Sequence, residues 1–285
     1  MIISIVPNLD NDGVKELTKR IIEQLHSLNC VIYINNEYES IFDDGSITFC
    51  PEDCLYNDCD VAIAVGGDGT TLNVAKNASV KNKPTLGINA GRVGFMSGLE
   101  KNELHLLENV VNGKCTVEER MMIRACIYED NAVKGEYHCL NDAVISRGDL
   151  ARLIDISVSS REGMITKVRA DGIIISTPTG STAYSMAAGG PVLSPDNSCF
   201  VITPICPHTL ANRSIIVSSD KELNINIDND RNNNSFLSVD GVKSVQITPQ
   251  TKVVISKSPY SAKLIKVKSE NFYEILNKKI IERRI

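Results

Sequence analysis

"VAIAVGGDGTTLNVA", residues 61–75, joins an apolar run to a glycine-rich turn and a helical pattern. Val61–Val65 is a short, unbroken apolar run, as expected of a strand buried on both faces, and "TTLNVAKNA" (70–78) reads as a helix. A glycine-rich turn that carries a buried strand into a helix N-terminus is built to meet an anion, because free N–H groups and the positive end of the helix dipole converge there. Gly66, Gly67 and Gly69 allow positive φ and let a phosphate approach the backbone, with the helix beginning near Thr70. Asp68 breaks the pattern by placing a fixed negative charge where phosphate is welcome. Neither GxxxxGK[ST] nor GxGxxG occurs in the chain. The aspartate is explained if the loop performs phosphoryl transfer to an alcohol, since that reaction needs an acceptor for the hydroxyl proton. The plainer alternative is a strand-to-helix turn with Asp68 as the helix cap.

Outward from this loop, residues 1–115 alternate strand and helix. "MIISIV" and "VIYI" read as strands flanking a helix that Asn11/Asp12 would cap, with Val14, Leu17, Ile21, Leu25 and Leu28 on one face. "PTLGINA" is another strand, and "ELHLLENVVNG" a helix closed by Gly113. Val/Ile-rich strands separated by helices indicate a parallel sheet covered on both faces. From 116 to 259 the texture changes to successive short strand-like runs, among them "YHCLNDAVIS", "GIIIST", "CFVITPI", "FLSVDG" and "KVVISK", which argues for a β-rich, sandwich-like domain. "NINIDNDRNNNS" reads as a polar hairpin tip, and "SVDG" at 238–241 as a turn. "AKLIKV" and "NFYEILNKKIIERRI" return to strand and helix. The expected division is therefore an α/β domain of residues 1–115 plus about 260–285, and a β-rich domain of 116–259.

The chain's 285 residues carry 30 Lys+Arg against 35 Asp+Glu, a net charge of -5. That balance offers no broad basic surface for nucleic acid or an anionic membrane. No stretch approaches the roughly 18 apolar residues of a membrane span, and the N-terminus lacks a basic, signal-like start. Nine cysteines, an odd number, fit a reducing cytoplasm better than a disulfide framework. Cys50, Cys54 and Cys59 in "CPEDCLYNDC" match neither the CxxC pair nor a downstream histidine partner, and read as ordinary loop thiols.

Five blocks together resemble the NAD kinase family: "GGDGT" (66–70), "GINAGRVGF" (87–95), "LND" (140–142), "RADGIIISTPTGSTAYSMAAGGPVLSP" (169–195) and "TPICPHTLANR" (203–213). "GGDGT" alone is shared with lipid kinases and 6-phosphofructokinases; the long central block is far more specific. The resemblance implies phosphoryl transfer from ATP, or polyphosphate in some members, to the 2′-hydroxyl of the adenosine ribose of NAD, giving NADP. It implies Mg2+ or another divalent metal with the ATP, an active site between the two domains, and a homodimer or homotetramer whose neighbouring subunit completes that site. No dedicated protein metal ligand is implied.

By the same resemblance, Asp68 takes the proton from the 2′-hydroxyl, and Gly66, Gly67 and Gly69 contact phosphate. Phe95 lies near the adenosine, with Met96 at a position often tyrosine. Asn141 bonds adenine or ribose, and Asp142, where glutamate is commoner, accepts from ribose hydroxyls. Thr182, Ala183 and Tyr184 wall the adenine, with Thr179 and Ser181 as polar neighbours. Asp171 meets the nicotinamide end, and Arg169 stands nearby or orients Asp171. His208 in "CPHTL" reads as structural. Two other classes share parts of this pattern. A lipid kinase would need an apolar cleft, and a non-catalytic dinucleotide-binding regulator would have no need of Asp68.

Overall fold

A computed structural model describes all residues except 43–44, 92–93, 131, 149–151, 210–212, 230–233 and 283–285; for 229, 243 and 280–282 it describes the backbone alone. The chain forms two compact units, residues 1–119 with 261–285 and residues 120–260. The first is organised by the strand Val61–Gly66, every residue of which is buried. It lies parallel to Ile2–Pro7 on one side and Pro84–Asn89 on the other, in register Ile5↔Ile63 and Ile63↔Leu86. Val31–Asn35 and Ile47–Cys50 extend the sheet beyond Ile2–Pro7, and residues 263–264 add in parallel beside Pro84–Asn89.

The alternation within "VAIAV" sets the two layers. Ile63 and Val65 enter a core with Ile3, Ile5, Ile32, Leu86 and the helix residues Leu17, Ile21 and Leu25. Ala62 and Ala64 face the opposite side, packed with Val74 and Ala78 of the helix Asp68–Val80. Small residues on that face let the helix lie close, so close packing and the glycine turn come from one stretch. The helix Val14–Ser27 is entered through Gly13 at φ 76°, with no side-chain cap, in place of the expected Asn11/Asp12 cap. Gly113, at φ 68°, does end its helix as expected, following Leu107–Val111.

The last helix, Phe272–Glu282, starts with a reciprocal box: Asn271 N–H donates to Glu274 Oε2 at 3.0 Å, and Glu274 N–H to Asn271 Oδ1 at 3.0 Å. Such a box satisfies two otherwise unpaired helix-end donors and fixes where the helix begins. Ile275 is buried, and Lys279 lies one turn later on the same side.

In the second unit, Asp142–Arg147 and Gly172–Ser176 are central strands of a six-stranded antiparallel sheet, ordered 215–218, 199–205, 172–176, 142–147, 235–239, 243–247. A second antiparallel layer contains Gly163–Ala170, Ile154–Ser160, Leu223–Asn229 and residues 252–255. Ile145, Ile173, Phe200 and Leu237 of the first layer share one core with Ile156, Val158, Ile225 and Val253 of the second. The fold is thus a parallel α/β unit plus a mostly antiparallel β unit, as the sequence indicates.

Two runs divide differently from expectation. "YHCLNDAVIS" is two strands, Ala132–Cys139 and Asp142–Arg147, separated at Leu140–Asn141. "KVVISK" and "AKLIKV" belong to one strand, Lys252–Lys266. Of the polar tip, residues 230–233 lie outside the described residues.

Candidate active site

In the first unit the site grows from the ends of two adjacent parallel strands, where Gly66 pairs with Asn89. Crevices outside the carboxyl ends of such strands are the usual ligand positions of open α/β sheets. The helix begins at Asp68, two residues earlier than expected, with Gly67 as its N-cap at φ -99°. None of Gly66, Gly67 and Gly69 uses the positive φ that glycine allows. Gly66 is instead required for space, because a Cβ there would collide with Thr70, while Gly67 and Gly69 face open space. The backbone runs extended into the helix, so no left-handed residue is needed to make the turn.

Asp68 does not cap its own helix. Its Oδ2 accepts from Phe95 N–H at 2.9 Å and its Oδ1 from Met96 N–H at 3.1 Å. Lys279 Nζ lies 2.9 Å from Oδ2 and also sits 3.8 Å above the Phe95 ring. The carboxylate is therefore held by three donors, and it remains 35% exposed. A carboxylate has about four lone-pair positions, so this holding leaves room for one further hydrogen bond.

In the second unit a cavity of about 410 Å³ is lined by Asn141, Asp142, Val144, Ser146, Ala183, Tyr184, Ser238, Asp240 and Gly241. That volume lies within the usual range for small-molecule sites. Strand register explains the convergence: Ser176 pairs with Asp142, and Val239 with Ala143, so three strand ends meet. Asp240 then fixes the backbone between the strands. Its carboxylate accepts from the N–H groups of Leu140 (3.1 Å), Asn141 (2.8 Å) and Asp142 (3.2 Å). This clamp is the physical reason that "YHCLNDAVIS" is not one strand.

The "PTGST" turn is tied to the same backbone. Thr177 donates to Asn141 O from N–H at 2.9 Å and to Leu140 O from Oγ1 at 2.6 Å. Gly180 packs so tightly on the Asn141 backbone that any side chain would be excluded. Thr179 and Thr182 are buried, linked by a 3.1 Å bond from Thr182 Oγ1 to Thr179 O, and Ser181 Oγ donates to Pro178 O at 2.6 Å. These hydroxyls serve the turn, whereas Ala183 and Tyr184 line the cavity.

Asp142 is 4% exposed, and burial, reinforced by the neighbouring Asp240 carboxylate, pushes its carboxyl up to about 7. Asp171 is not oriented by Arg169. Arg147 Nε lies 2.7 Å from Asp171 Oδ1, while the exposed Arg169 faces Asp155 at 3.9 Å from the strand Gly163–Ala170. Strand alternation explains this, because Arg169 pairs directly with Asp155 across the antiparallel ladder. His208 N–H donates to Arg169 O at 2.8 Å. Cys50 ends a strand, Cys54 lies on the short helix Glu52–Leu55 and Cys59 is buried; burial raises the Cys50 and Cys59 thiols above their ordinary range. Among the described residues no group of three or more His, Cys, Asp or Glu side chains forms a metal cluster.

Lys279, Arg147 and Asp240 carry no role predicted from the sequence. The only local signal was the "SVDG" turn itself, where Asp240 and Gly241 both adopt positive φ, at 49° and 68°.

Comparison with known proteins places these features in context. The sequence model of the ATP-NAD kinase N-terminal domain matches residues 3–115, and that of the ATP-NAD kinase C-terminal domain matches residues 140–267. The chain is 38% identical to an NAD kinase of Carboxydothermus hydrogenoformans over 267 residues, covering 93% of this chain and 94% of that one. It is 34% identical to an NAD kinase of Ruminiclostridium cellulolyticum, covering 99% and 98%. Among solved structures, yeast NADH kinase complexed with NADH superposes with a TM-score of 0.88 at 23% identity, covering 98% of this chain and 87% of that one, a likeness of fold. An NAD kinase from Archaeoglobus fulgidus in complex with ATP superposes with a TM-score of 0.77 at 26% identity, covering 98% of both chains.

Proposed function

The chain belongs to the NAD kinase family, and from that premise we propose that it transfers the γ-phosphoryl group of ATP to the 2′-hydroxyl of the adenosine ribose of NAD. Phosphorylation of NAD is the activity of its family. The observation that carries the proposed chemistry is Asp68, a carboxylate held by three donors at the start of the helix Asp68–Val80 and still open to one more partner.

In the reaction, Asp68 accepts the proton as the ribose oxygen bonds to the γ-phosphorus. The bond from that phosphorus to the bridging oxygen breaks, and the electron pair leaves with ADP. Asp68 then returns the proton to solvent. The helix N-terminus and the extended Gly66–Gly67 backbone face the phosphates, where they stabilise negative charge without reorganising. The divalent cation enters as part of the metal–ATP substrate.

On the acceptor side, Asn141 offers both amide donors and a carbonyl acceptor to adenine or ribose. Asp142, with its carboxyl near 7, can present a proton or a lone pair to a ribose hydroxyl. Ala183 and Tyr184 form the adenine wall, Phe95 stacks near the adenosine, and Thr179 and Thr182 hold the wall in place. Asp171, steadied by Arg147, meets the nicotinamide end in a neighbouring subunit, so the working form is a homo-oligomer. The weak basic surface and reducing-type cysteine usage fit a cytoplasmic enzyme.

The test offers the purified protein a magnesium salt with ATP or polyphosphate, and NAD or a lipid alcohol as acceptor. Formation of NADP from ATP and NAD supports the reading. Phosphorylation of the lipid in preference to NAD overturns it.

A further inference from the structure

A carboxylate in a phosphate-binding loop raises the question of what cancels its charge. P-loops place a lysine within the loop to reach the phosphates. This loop, "GGDGTT", has none. The cation arrives instead from 211 residues away: Lys279 Nζ stands 2.9 Å from Asp68 Oδ2.

Several features hold Lys279 there. Its side chain is 12% exposed, and its ammonium lies over the Phe95 ring at 3.8 Å. Phe95 in turn donates its backbone N–H to Asp68, closing a triangle of base, ring and cation. The Asn271/Glu274 box fixes the start of the helix, and the buried Ile275 one turn before Lys279 turns that face inward. A lysine with no task would keep its head in water; this one is led to a single carboxylate.

We propose that Lys279 is a positioning residue for phosphoryl transfer: it fixes the Asp68 carboxylate and cancels its charge toward the incoming phosphates. The ammonium has three N–H donors, so it can hold Asp68 and still face the donor's anionic oxygens. The inference rests on the reading of Asp68 as the proton acceptor. It makes the C-terminal helix part of the donor site.

The experiment compares the parent, Lys279→Ala, Lys279→Arg and Asp68→Asn, with ATP and NAD varied separately and thermal melting recorded for each. Parent turnover with loss in Asp68→Asn checks the underlying reading independently of Lys279. Lys279→Ala is expected to lose about ten- to hundredfold in kcat/KM for ATP, the usual worth of a hydrogen bond to a charged group. Its KM for NAD should stay within about threefold, and Lys279→Arg should recover most of the loss because it restores a cation. The deficit against ATP should also shrink as salt rises, since screening weakens the repulsion left by a bare Asp68. Full activity in Lys279→Ala, higher activity than the parent, or equal losses toward both substrates together with lowered melting would each overturn the proposal while leaving the role of Asp68 standing.

Discussion

Two carboxylates, Asp68 of the first unit and Asp142 of the second, stand in opposite surroundings. Asp68 is 35% exposed, meets two backbone N–H groups and an ammonium, and sits at the positive end of a helix. Asp142 is 4% exposed and stands near a second carboxylate, Asp240, whose oxygens are occupied by backbone N–H groups. The first environment orients a carboxylate beside a cation and leaves it open to one more partner. The second makes charge costly, so the carboxyl is pushed up to about 7 and becomes a hydrogen-bonding group of variable protonation. Under the proposed function, the difference separates a place for chemistry from a place for recognition.

The sharpest way to break this comparison is Asp68→Asn. The variant should fold and bind NAD, yet lose roughly 10² to 10⁴ in kcat, the typical worth of a general base. Turnover within twofold of the parent would remove Asp68 from the chemistry. On the recognition side, Asn141→Ala should raise KM for NAD about ten- to hundredfold while lowering kcat much less, because the bonds proposed for it to NAD would hold equally in the ground and transition states. A loss confined to kcat would move Asn141 to the wrong side of the comparison.

Dilution probes whether the recognition region is complete in one chain. Specific activity should fall by half at the concentration where light scattering finds half of the oligomer dissociated. An active monomer would show that no neighbouring Asp171 is needed.

The smallest effect concerns Asp142 and pH. Its carboxyl titrates near 7 in the fold against an ordinary 3.8, so between those values the folded protein holds a proton that the unfolded chain has released. The stabilisation from that proton is complete below about 4 and is lost as pH rises through about 7. Asp142→Asn has no proton to lose, so its melting temperature should gain on the parent's between pH 5 and pH 8. A difference that stays flat across that range would mean Asp142 is ionised throughout.

The sequence was informative where the determinants are local. The apolar run 61–65, its glycine turn and the helix that ends at Val80 are continuous in the chain, and the small Ala62 and Ala64 that admit the helix are part of the same run. Asn141, Asp142, Ala183 and Tyr184 lie within two short motifs that the strand register brings to one cavity. What escaped notice depends on partners distant in sequence. The clamp on Leu140–Asp142 comes from Asp240, about a hundred residues on, so the apolar pattern of "YHCLNDAVIS" continues straight through a break. Arg147 reaches Asp171 across neighbouring strands, and Lys279 reaches Asp68 from the other end of the chain. The glycines signal a tight place without saying why it is tight: Gly66 answers a collision with Thr70 and not a need for positive φ.

In the proposed reaction the phosphoryl group passes to the 2′-hydroxyl whose proton Asp68 accepts. The most direct measurement follows phosphoryl transfer from ATP by phosphorus NMR, with NAD and with its analogue lacking that hydroxyl as acceptors. The account predicts one new phosphomonoester signal from NAD, at the 2′ position, and none from the analogue. A phosphorylated analogue, or a phosphate at any other position of NAD, would contradict it.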